Sequence, residues 1–339
     1  MCCITWVCQR LQAQYGKLSQ SSALNTPAQS DHSPNTGPVV ILVPTLNAGA
    51  AWPAFLQAFA QQQPTPGPLV VLDSESVDGT DRLAASAGHQ VVRIRRSEFS
   101  HGGTRQWGLD RFAADAAFAV FLTQDAVLAH PDAIARLLSA FADPQVAAVY
   151  GRQLPHPGAD PVSAHARGFN YPSVSRTVTL ADRAALGIRT CFLSNAFAAY
   201  RLCALREAGG FARDLILAED MHLAARLLLA GHAIRYQADA CVHHSHAYSL
   251  LQEFRRYFDT GVFHAQQHEL LASFGSAGRE GLKFVRSELR HLLRTAPWRL
   301  PEAALRSLLK ALGYRVGCRH QTLPKRLRRA CSMHKGYWA

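Results

Sequence analysis

The strongest constraint in the sequence is a series of short apolar runs that are rich in β-branched residues. The first run is PVVILVPT at 38–45, and similar runs follow at 67–74, 90–94 and 116–125. Such runs are typical of strands buried on both faces. Helical patterns lie between them, and this alternation indicates βαβ units and a mainly parallel sheet. We therefore predict an α/β fold whose first half is Rossmann-like.

The composition agrees with a folded chain and excludes several other classes of protein. Of the 339 residues, 48% are hydrophobic and 18% are charged, which is typical of globular rather than disordered proteins. The sequence has no run of about 18 apolar residues, as a membrane span would need. Its start, MCCITWVCQR, lacks the basic region of a signal peptide, so we expect a cytoplasmic protein. The eight cysteines have no CxxC or finger spacing, and we interpret them as free thiols.

Composition also predicts three segments. Residues 1–36 are rich in Gln, Ser, Asn and Pro, which favours a disordered extension. Residues 37–248 contain the alternation of strands and helices, and residues 249–339 have a helical pattern. The net charge is +12, and residues 279–339 carry 15 Lys and Arg but 3 Asp and Glu. The excess charge thus lies in the C-terminal region and indicates an anionic partner.

The C-terminal region allows two interpretations. From Lys283 onward, apolar residues at helical spacing alternate with Arg and Lys. Basic amphipathic helices are typical of proteins that bind anionic membrane headgroups. Alternatively, these helices pack on the rest of the protein and present a solvated basic face. KRLRR at 325–329 lacks any accompanying reader motif or aromatic platform, so no nucleic-acid partner is predicted.

Polar residues occur where the predicted strands end, and the carboxyl ends of parallel strands form the ligand-binding edge of such a sheet. The second strand ends in DSESVDGT at 73–80, and the fourth ends in TQD at 123–125. DSESVDGT is also compatible with an ordinary capped loop. No GxGxxG or GxxxxGK[ST] is present, which argues against a dinucleotide oxidoreductase and a P-loop nucleotidase.

Two further clusters are candidates for chemistry. Asp125 follows a buried strand, where a carboxylate is costly unless it binds a cation, pairs with another group or caps the next segment. A magnesium or manganese ion bound to a diphosphate would need such an oxygen ligand. Glu219 and Asp220 open a predicted helix, where acids favour the helix dipole but also suit a general base. The histidines of HHSH at 243–246 indicate a metal or diphosphate contact, or else a surface loop.

In this order, these motifs resemble the inverting glycosyltransferases of family 2, which have the GT-A fold. The resemblance covers about residues 38–290 and rests on VPTLNAG, LDSESVDGT, the acid after the fourth strand, and GGF followed by AEDMHLAARLL. The stretches EFSHGGTRQWG, VFLTQDA, VYGRQLP, FNYPS, SNAFAAYR and HSHAYSLLQEFRRYFDTGVF resemble the bacterial rhamnosyltransferase subgroup. That subgroup uses dTDP-L-rhamnose to build O-antigen, capsule or other exopolysaccharide. The resemblance therefore implies a GT-A fold with a helical basic C-terminal extension.

The resemblance implies a role for each matching position. The residues that would face the nucleotide and diphosphate of the donor are Thr45, Asn47, Asp73, Ser74, Asp78, His101, Gly103, Thr104 and Arg105. Asp220 would be the catalytic base with Glu219 beside it, and Asp125 with His244 or His246 would hold the magnesium or manganese ion. The acceptor side would include Ser194, Asn195 and Arg201. Many family members have Asp-x-Asp where this chain has Thr123-Gln124-Asp125, so one metal-binding carboxylate is missing and the histidines gain importance.

The implied reaction is a single displacement that inverts the anomeric carbon. Its partners would be a nucleotide sugar donor and a saccharide or lipid-linked acceptor, at the inner face of the cytoplasmic membrane. Three alternatives remain open from the sequence: another sugar donor, a non-catalytic sugar-nucleotide binder, and a nucleotidyltransferase. The last would need a Gly-rich N-terminal loop followed by Arg and Lys, which we do not find.

Overall fold

The computed structural model describes residues 37–246, 248–275 and 278–338, so the predicted disordered extension lies outside the described residues. Strands follow the predicted apolar runs and continue through the middle of the chain. The strands are β1 Val39–Thr45, β2 Leu69–Asp73, β3 Gln90–Arg93, β4 Phe118–Leu122, β5 Val127–Leu128, β6 Val146–Leu154, β7 Arg176–Val178, β8 Phe197–Arg201 and β9 Ala233–His243.

Helices separate the first four strands, and the described residues of the C-terminal region form mainly helices. The helices are α1 Trp52–Ala60, α2 Thr80–Ser86, α3 His101–Phe112, α4 Ala133–Ser139, α5 Pro161–Asn170, α6 Arg183–Leu186, α7 Leu202–Glu207, α8 Glu219–Leu229, α9 Leu250–Gln266, α10 His268–Ala272, α11 Gly278–Thr295, α12 Leu300–Cys318 and α13 Lys325–Cys331. None of the described helices combines the length and apolarity that a membrane crossing requires.

The strands form one mixed sheet in the order β3-β2-β1-β4-β8-β6-β9-β5, and β7 also pairs with β9. β1 to β4 are parallel, as the sequence predicted. β8 then runs antiparallel to both β4 and β6, and β6 and β9 are parallel again. Because β8 is antiparallel to β4, β8 begins at the edge of the sheet where β4 ends. The segment that precedes β8 therefore lies at that edge.

Alternating residues of each buried strand supply cores on both faces of the sheet. In β1, Val40 and Leu42 join the core that contains α8, whereas Ile41 and Val43 join the core with Trp52 and Phe55 of α1. This arrangement explains why the strands are apolar throughout rather than alternating with polar residues. The ligand-binding edge is therefore left to the polar residues that follow each strand.

The C-terminal helices pack on the sheet domain and on one another. Phe258 and Val262 of α9 belong to the core that contains α8. α9 and α12 approach so closely that a Cβ at Gly261, Gly313 or Gly317 would overlap the backbone of the facing helix. The packing alternative raised by the sequence is therefore correct for the inner faces of these helices.

Candidate active site

The ends of β1 and β2 form a tightly hydrogen-bonded edge around Asp73. The Asp73 carboxylate is fully buried and accepts bonds from Thr45 Oγ1 (2.9 Å), Ser76 Oγ (2.6 Å) and the Ser76 N–H (2.9 Å). Asn47 lies in the left-handed region at φ 48°, and its Oδ1 accepts from the Val77 N–H (2.8 Å). The two loops are therefore tied together before any ligand arrives.

Asp78 closes the same edge. Its Oδ2 accepts from the Gly49 N–H (2.9 Å), and its Oδ1 accepts from Thr80 Oγ1 (2.6 Å). Ser74 is buried, and its hydroxyl has no hydrogen-bond partner within the described part of the chain. The structure thus brings together all five residues that were predicted on β1 and β2.

The start of α3 lies beside this edge. The Ser100 hydroxyl caps the helix by accepting from the Gly103 N–H (3.0 Å), and it donates to Arg213 O (2.9 Å). A Cβ on Gly102 would overlap the Ala212 carbonyl, so the helix start and the chain before α8 require a glycine between them. Thr104 is buried, whereas His101 and Gly103 remain partly accessible.

Arg105 has a different environment from the one that the sequence suggested. It is buried, and its Nη1 lies 3.0 Å from Glu219 Oε1 and 3.0 Å from the His101 carbonyl oxygen. Glu219 Oε1 also accepts from Asn195 Nδ2 (2.9 Å), and Asn195 Oδ1 accepts from the Tyr200 hydroxyl (2.7 Å). Burial works to raise the pKa of Glu219, but Arg105 and His101 hold it below its usual range. Arg105 therefore neutralises Glu219 and anchors the start of α8.

Asp220 differs sharply from its neighbour Glu219. Its carboxylate accepts from the Asn195 N–H (3.0 Å) and the Met221 N–H (2.8 Å), and no cation pairs with it among the described residues. Burial and the negative charge of Glu219 raise the pKa of Asp220 to about 7. A carboxylate with a pKa near the working pH is suited to accept a proton.

The residue before these acids, Ala218, has an unusual backbone conformation, with φ 60° and ψ 34°. A left-handed conformation costs a non-glycine residue about 1–2 kcal/mol. Such residues persist where the surrounding structure holds them, and they cluster at functional sites. The turn at Ala218 places both acids at the start of α8.

A second group of side chains meets at the end of β4. His244 Nε2 lies 3.4 Å from Asp125 Oδ1, and His246 Nδ1 lies 3.6 Å from Asp125 Oδ2. One ligand atom from each of the three residues lies within 4.8 Å of the others. The three side chains therefore form a group that could hold one shared ion through a carboxylate and two imidazoles.

The protonation of the histidines also fits a metal. His244 Nδ1 lies 2.8 Å from Gln153 Oε1, which only accepts hydrogen bonds, so Nδ1 donates this bond and Nε2 is turned toward Asp125. Burial and the neighbouring His244 lower the pKa of His246 to about 4, so this ring is neutral. Burial opposes ionisation of Asp125, but the two histidines hold its pKa below its usual range. His243, by contrast, contacts the Pro155 carbonyl (3.1 Å) and lies outside the cluster.

Gln153 connects the two groups and was missed in the sequence. Besides His244, it bonds through Nε2 to Ser194 Oγ (2.9 Å). Ser194 precedes Asn195, whose N–H binds Asp220. The candidate metal cluster and the candidate base therefore belong to one continuous network. Gln153 lies on β6, 28 residues after Asp125, and no local pattern distinguishes it from other strand residues.

Arg256 on α9 is the second residue that the sequence did not single out. Its guanidinium lies over the Tyr248 ring at 5.8 Å, and the Tyr248 ring stacks on His246 at 5.1 Å. Arg256 is exposed and has no acidic partner in the described ranges. It is therefore an available cation next to the metal-binding cluster.

One predicted residue lies elsewhere. Arg201 ends β8 opposite Phe118, the first residue of β4, whereas Asp125 follows the last residue of β4. Its guanidinium binds the Phe141 and Val146 carbonyl oxygens. At about 3.3 Å per residue, the length of β4 separates Arg201 from the site. Of the three acceptor-side residues, only Ser194 and Asn195 reach the catalytic edge.

Comparisons with known proteins identify the family and the fold. A family model described as glycosyltransferase like family 2 matches residues 34–258. The O-antigen chain rhamnosyltransferase RfbN of Salmonella typhimurium is 47% identical over 301 residues, which cover 88% of this chain and 96% of that protein. WbaN of Salmonella anatum, an O-antigen chain rhamnosyltransferase, is 47% identical over 299 residues, which cover 88% and 95%.

Solved structures give the same fold. The mannosyltransferase PcManGT from Pyrobaculum calidifontis, solved with GDP-Man and Mn²⁺, superposes with a TM-score of 0.53 at 20% identity. The superposition covers 92% of this chain and 88% of that chain. The predicted family and the predicted fold are both confirmed.

Proposed function

The chain belongs to glycosyltransferase family 2, and from this premise we propose that it transfers L-rhamnose from dTDP-L-rhamnose to a cell-surface polysaccharide or its lipid-linked precursor. The choice of sugar follows the two relatives that are named O-antigen chain rhamnosyltransferases. The observation that carries the reaction type is the network from Asp125 through His244, Gln153 and Ser194 to the segment that holds Asp220.

Asp220 is the proposed base. It accepts the proton of the acceptor hydroxyl, whose oxygen forms the new bond to the anomeric carbon. The bond from that carbon to the diphosphate breaks at the same time, and the nucleoside diphosphate leaves with the electron pair. Glu219 does not compete for this role, because Arg105 neutralises it and Asn195 occupies its Oε1. The configuration at the anomeric carbon inverts.

The leaving diphosphate needs positive charge near it. Arg105 is committed to Glu219, and we assign the contact with the diphosphate to Arg256, which is exposed beside His246 and Tyr248. A guanidinium presents several donors in a plane and matches phosphate oxygens well. Arg256 would therefore stabilise the charge that develops in the transition state.

Asp125, His244 and His246 are the proposed ligands of a magnesium or manganese ion. His244 Nε2, whose ring is held by the bond from Nδ1 to Gln153, the neutral ring of His246 and the ionised carboxylate of Asp125 form a consistent donor set. Such an ion, when bound, supplies Lewis-acid stabilisation of diphosphate oxygens. Gln153 holds the His244 ring in the orientation that this role requires.

We also propose that the C-terminal helices place the enzyme on the inner face of the cytoplasmic membrane. Large apolar side chains are exposed along α11 and α12, including Leu308 at 65%, and Trp298 between the helices is 75% exposed. The other exposed apolar residues in this region are Leu282, Val285, Leu289, Leu293, Leu305 and Leu312. We call these eight residues the apolar face. Contiguous apolar surface on a folded protein commonly marks an interaction site.

The charges beside the apolar face favour an anionic lipid surface over a second copy of the chain. Arg286, Arg290 and Arg294 are exposed on α11. Of the acids on these helices, Glu288 is buried, Glu280 pairs with Arg189 and Lys283, and Glu302 pairs with Arg299 and Arg306. A second copy would bring the same positive charges together, whereas anionic headgroups would pair with them.

The donor is tested by incubating the purified protein with a panel of nucleotide sugars and measuring release of nucleoside diphosphate, with magnesium and then with chelator. We expect metal-dependent release from dTDP-L-rhamnose. Release from a different nucleotide sugar would retain the mechanism and replace the proposed sugar. Neither release nor donor binding with any sugar nucleotide would contradict catalysis and favour a non-catalytic scaffold.

Membrane binding is tested by flotation with vesicles of phosphatidylcholine alone or with phosphatidylglycerol. We expect binding only to the anionic vesicles. Leu289→Glu with Leu293→Glu should weaken it at least tenfold, because a buried leucine contributes about 1.5–3 kcal/mol. Leu83→Glu, an exposed leucine on α2, is the matched control. Salt-insensitive binding, or dimers that the double substitution disrupts, would contradict the lipid assignment.

A further inference from the structure

The end of the chain folds back onto α9 and is held there by a buried carboxylate. Asp259 is fully buried, and its Oδ2 accepts from the N–H groups of Met333 (2.8 Å) and His334 (3.2 Å). Burial raises the pKa of Asp259 to about 6. The sequence offered no reason to expect a buried acid within FRRYFDTGVF or a partner for it in the final residues.

Both ends of this segment, residues 332–338, are anchored, and we call it the C-terminal tail. Ser332 is fully buried at one end. At the other end, Trp338 is buried against Phe258 and His320, at 6.5 and 5.9 Å between ring centroids. The backbone between these anchors has little freedom, so the position of His334 is well defined.

His334 places its ring against His101, the first residue of α3. The two ring centroids are 4.8 Å apart and the rings are nearly perpendicular, at 88°. Phe99 packs on His101 as well, at 5.2 Å. His101 is therefore held between an aromatic ring that comes from its own loop and one that comes from the end of the chain.

His101 is in turn connected to the acids of α8. Its carbonyl oxygen accepts from Arg105 Nη1 (3.0 Å), and the same nitrogen lies 3.0 Å from Glu219 Oε1. A displacement of His101 would thus move the start of α3 and release one of the contacts that fix Arg105. The tail is coupled to the catalytic edge through a short and continuous set of contacts.

We propose that the C-terminal tail completes the donor site, with His334 as a positioning residue that fixes His101 and the start of α3 for the donor. This inference rests on the proposed function and on the expectation, taken from the family resemblance, that the start of α3 faces the nucleotide of the donor. His334 itself need not touch the donor. Asp259 acts one step further away by fixing the backbone of His334.

The test compares His334→Ala, His334→Phe and Lys335→Ala in the whole 339-residue chain. Lys335 is the next residue, and its side chain is exposed. Binding of dTDP is measured by calorimetry, kcat and KM are measured with dTDP-L-rhamnose, and stability is measured by chemical unfolding. The loss of one aromatic contact should weaken dTDP binding and raise KM about three- to tenfold in His334→Ala, with kcat changed less.

His334→Phe retains a ring at this position and should restore most of the affinity, while Lys335→Ala should behave as wild type. A purely structural role would lower the unfolding midpoint of His334→Ala without separating KM from kcat. Wild-type affinity in His334→Ala, or equal losses in the alanine and phenylalanine variants, would overturn the proposal. A wild-type protein that neither binds dTDP nor uses the donor would contradict the proposed function instead.

Discussion

The two sides of the catalytic edge are built differently. In the donor-side loops, residues 45–49 and 73–80, the acids Asp73 and Asp78 are occupied by hydrogen bonds from the chain itself. In the reaction-side cluster, which consists of Asp125, Asp220, His244, His246 and Arg256, several ligand atoms or charges have no such partner. The comparison separates polar groups that shape the site from those that are available to react.

This difference has a physical origin. A buried carboxylate that accepts three hydrogen bonds is stable without any ligand, and it gives the loops one conformation. A carboxylate with a raised pKa gains more from a proton, and two imidazoles beside an acid gain more from a shared cation. Substitutions in the donor-side loops should therefore mainly lower stability. Substitutions in the reaction-side cluster should mainly lower the catalytic rate.

The largest effect should follow the substitution Asp220→Asn. Removing the proposed base should lower kcat about 10²- to 10⁴-fold, while donor affinity and unfolding remain close to wild type. Asp214→Asn, an exposed acid six residues earlier, is the control. Transfer in the Asp220→Asn variant within tenfold of wild type would assign the base elsewhere.

Loss of the metal-binding cluster should have the next largest effect. His244→Ala should lower activity about 10- to 100-fold and raise the magnesium concentration needed for half-maximal rate. His243→Ala removes the neighbouring histidine, which contacts Pro155 and not Asp125, and should change neither value. Full activity of the wild-type protein in chelator would show that the cluster has another role.

Arg256→Ala should reduce kcat and donor affinity together, by about tenfold, because a cation on the diphosphate acts both on binding and on the leaving group. Arg256→Lys should recover part of the loss through its charge. Arg111→Ala is the control, since Arg111 is exposed at the far end of α3. Unchanged kinetics in Arg256→Ala would contradict this role and assign the diphosphate contact to the start of α3 instead.

The pH dependence of the activity should follow the titration of Asp220. The pKa of this carboxyl is raised to about 7, and it acts as a base only when deprotonated. Activity should therefore rise about tenfold from pH 6 to pH 8, with a midpoint near 7. The rise should disappear from the residual activity of Asp220→Asn. A flat profile over this range in the wild-type protein would contradict the assignment.

The sequence predicted most of the edge because strand ends are local features. Asp73, Asp125 and His244 each follow an apolar run, and parallel strands bring such positions together. Gln153 and Arg256 were not predicted, because their roles depend on contacts between residues that are distant in the sequence. Gln153 meets His244 only because β6 lies beside β9, and Arg256 reaches His246 through Tyr248. The sequence analysis assigned Arg201 to the acceptor side for the same reason. The direction of β8, which puts Arg201 opposite the start of β4, cannot be predicted from the local sequence.

The smallest effect on catalysis should come from the donor-side loops, and Asp73→Asn tests this. The amide retains the shape of the carboxylate but sets an N–H group against Thr45 Oγ1 or the Ser76 N–H, both of which donate to Asp73. An unsatisfied buried donor costs about 1–3 kcal/mol, so the free energy of unfolding in denaturant should fall by that amount. The KM for the donor should rise only a few fold, because the loop geometry is perturbed without loss of a ligand contact. Asp115→Asn, an exposed acid after α3, should leave both quantities unchanged. A large rise in KM with unaltered stability would make Asp73 a direct donor ligand, and would place it with the reaction-side residues despite its hydrogen bonds.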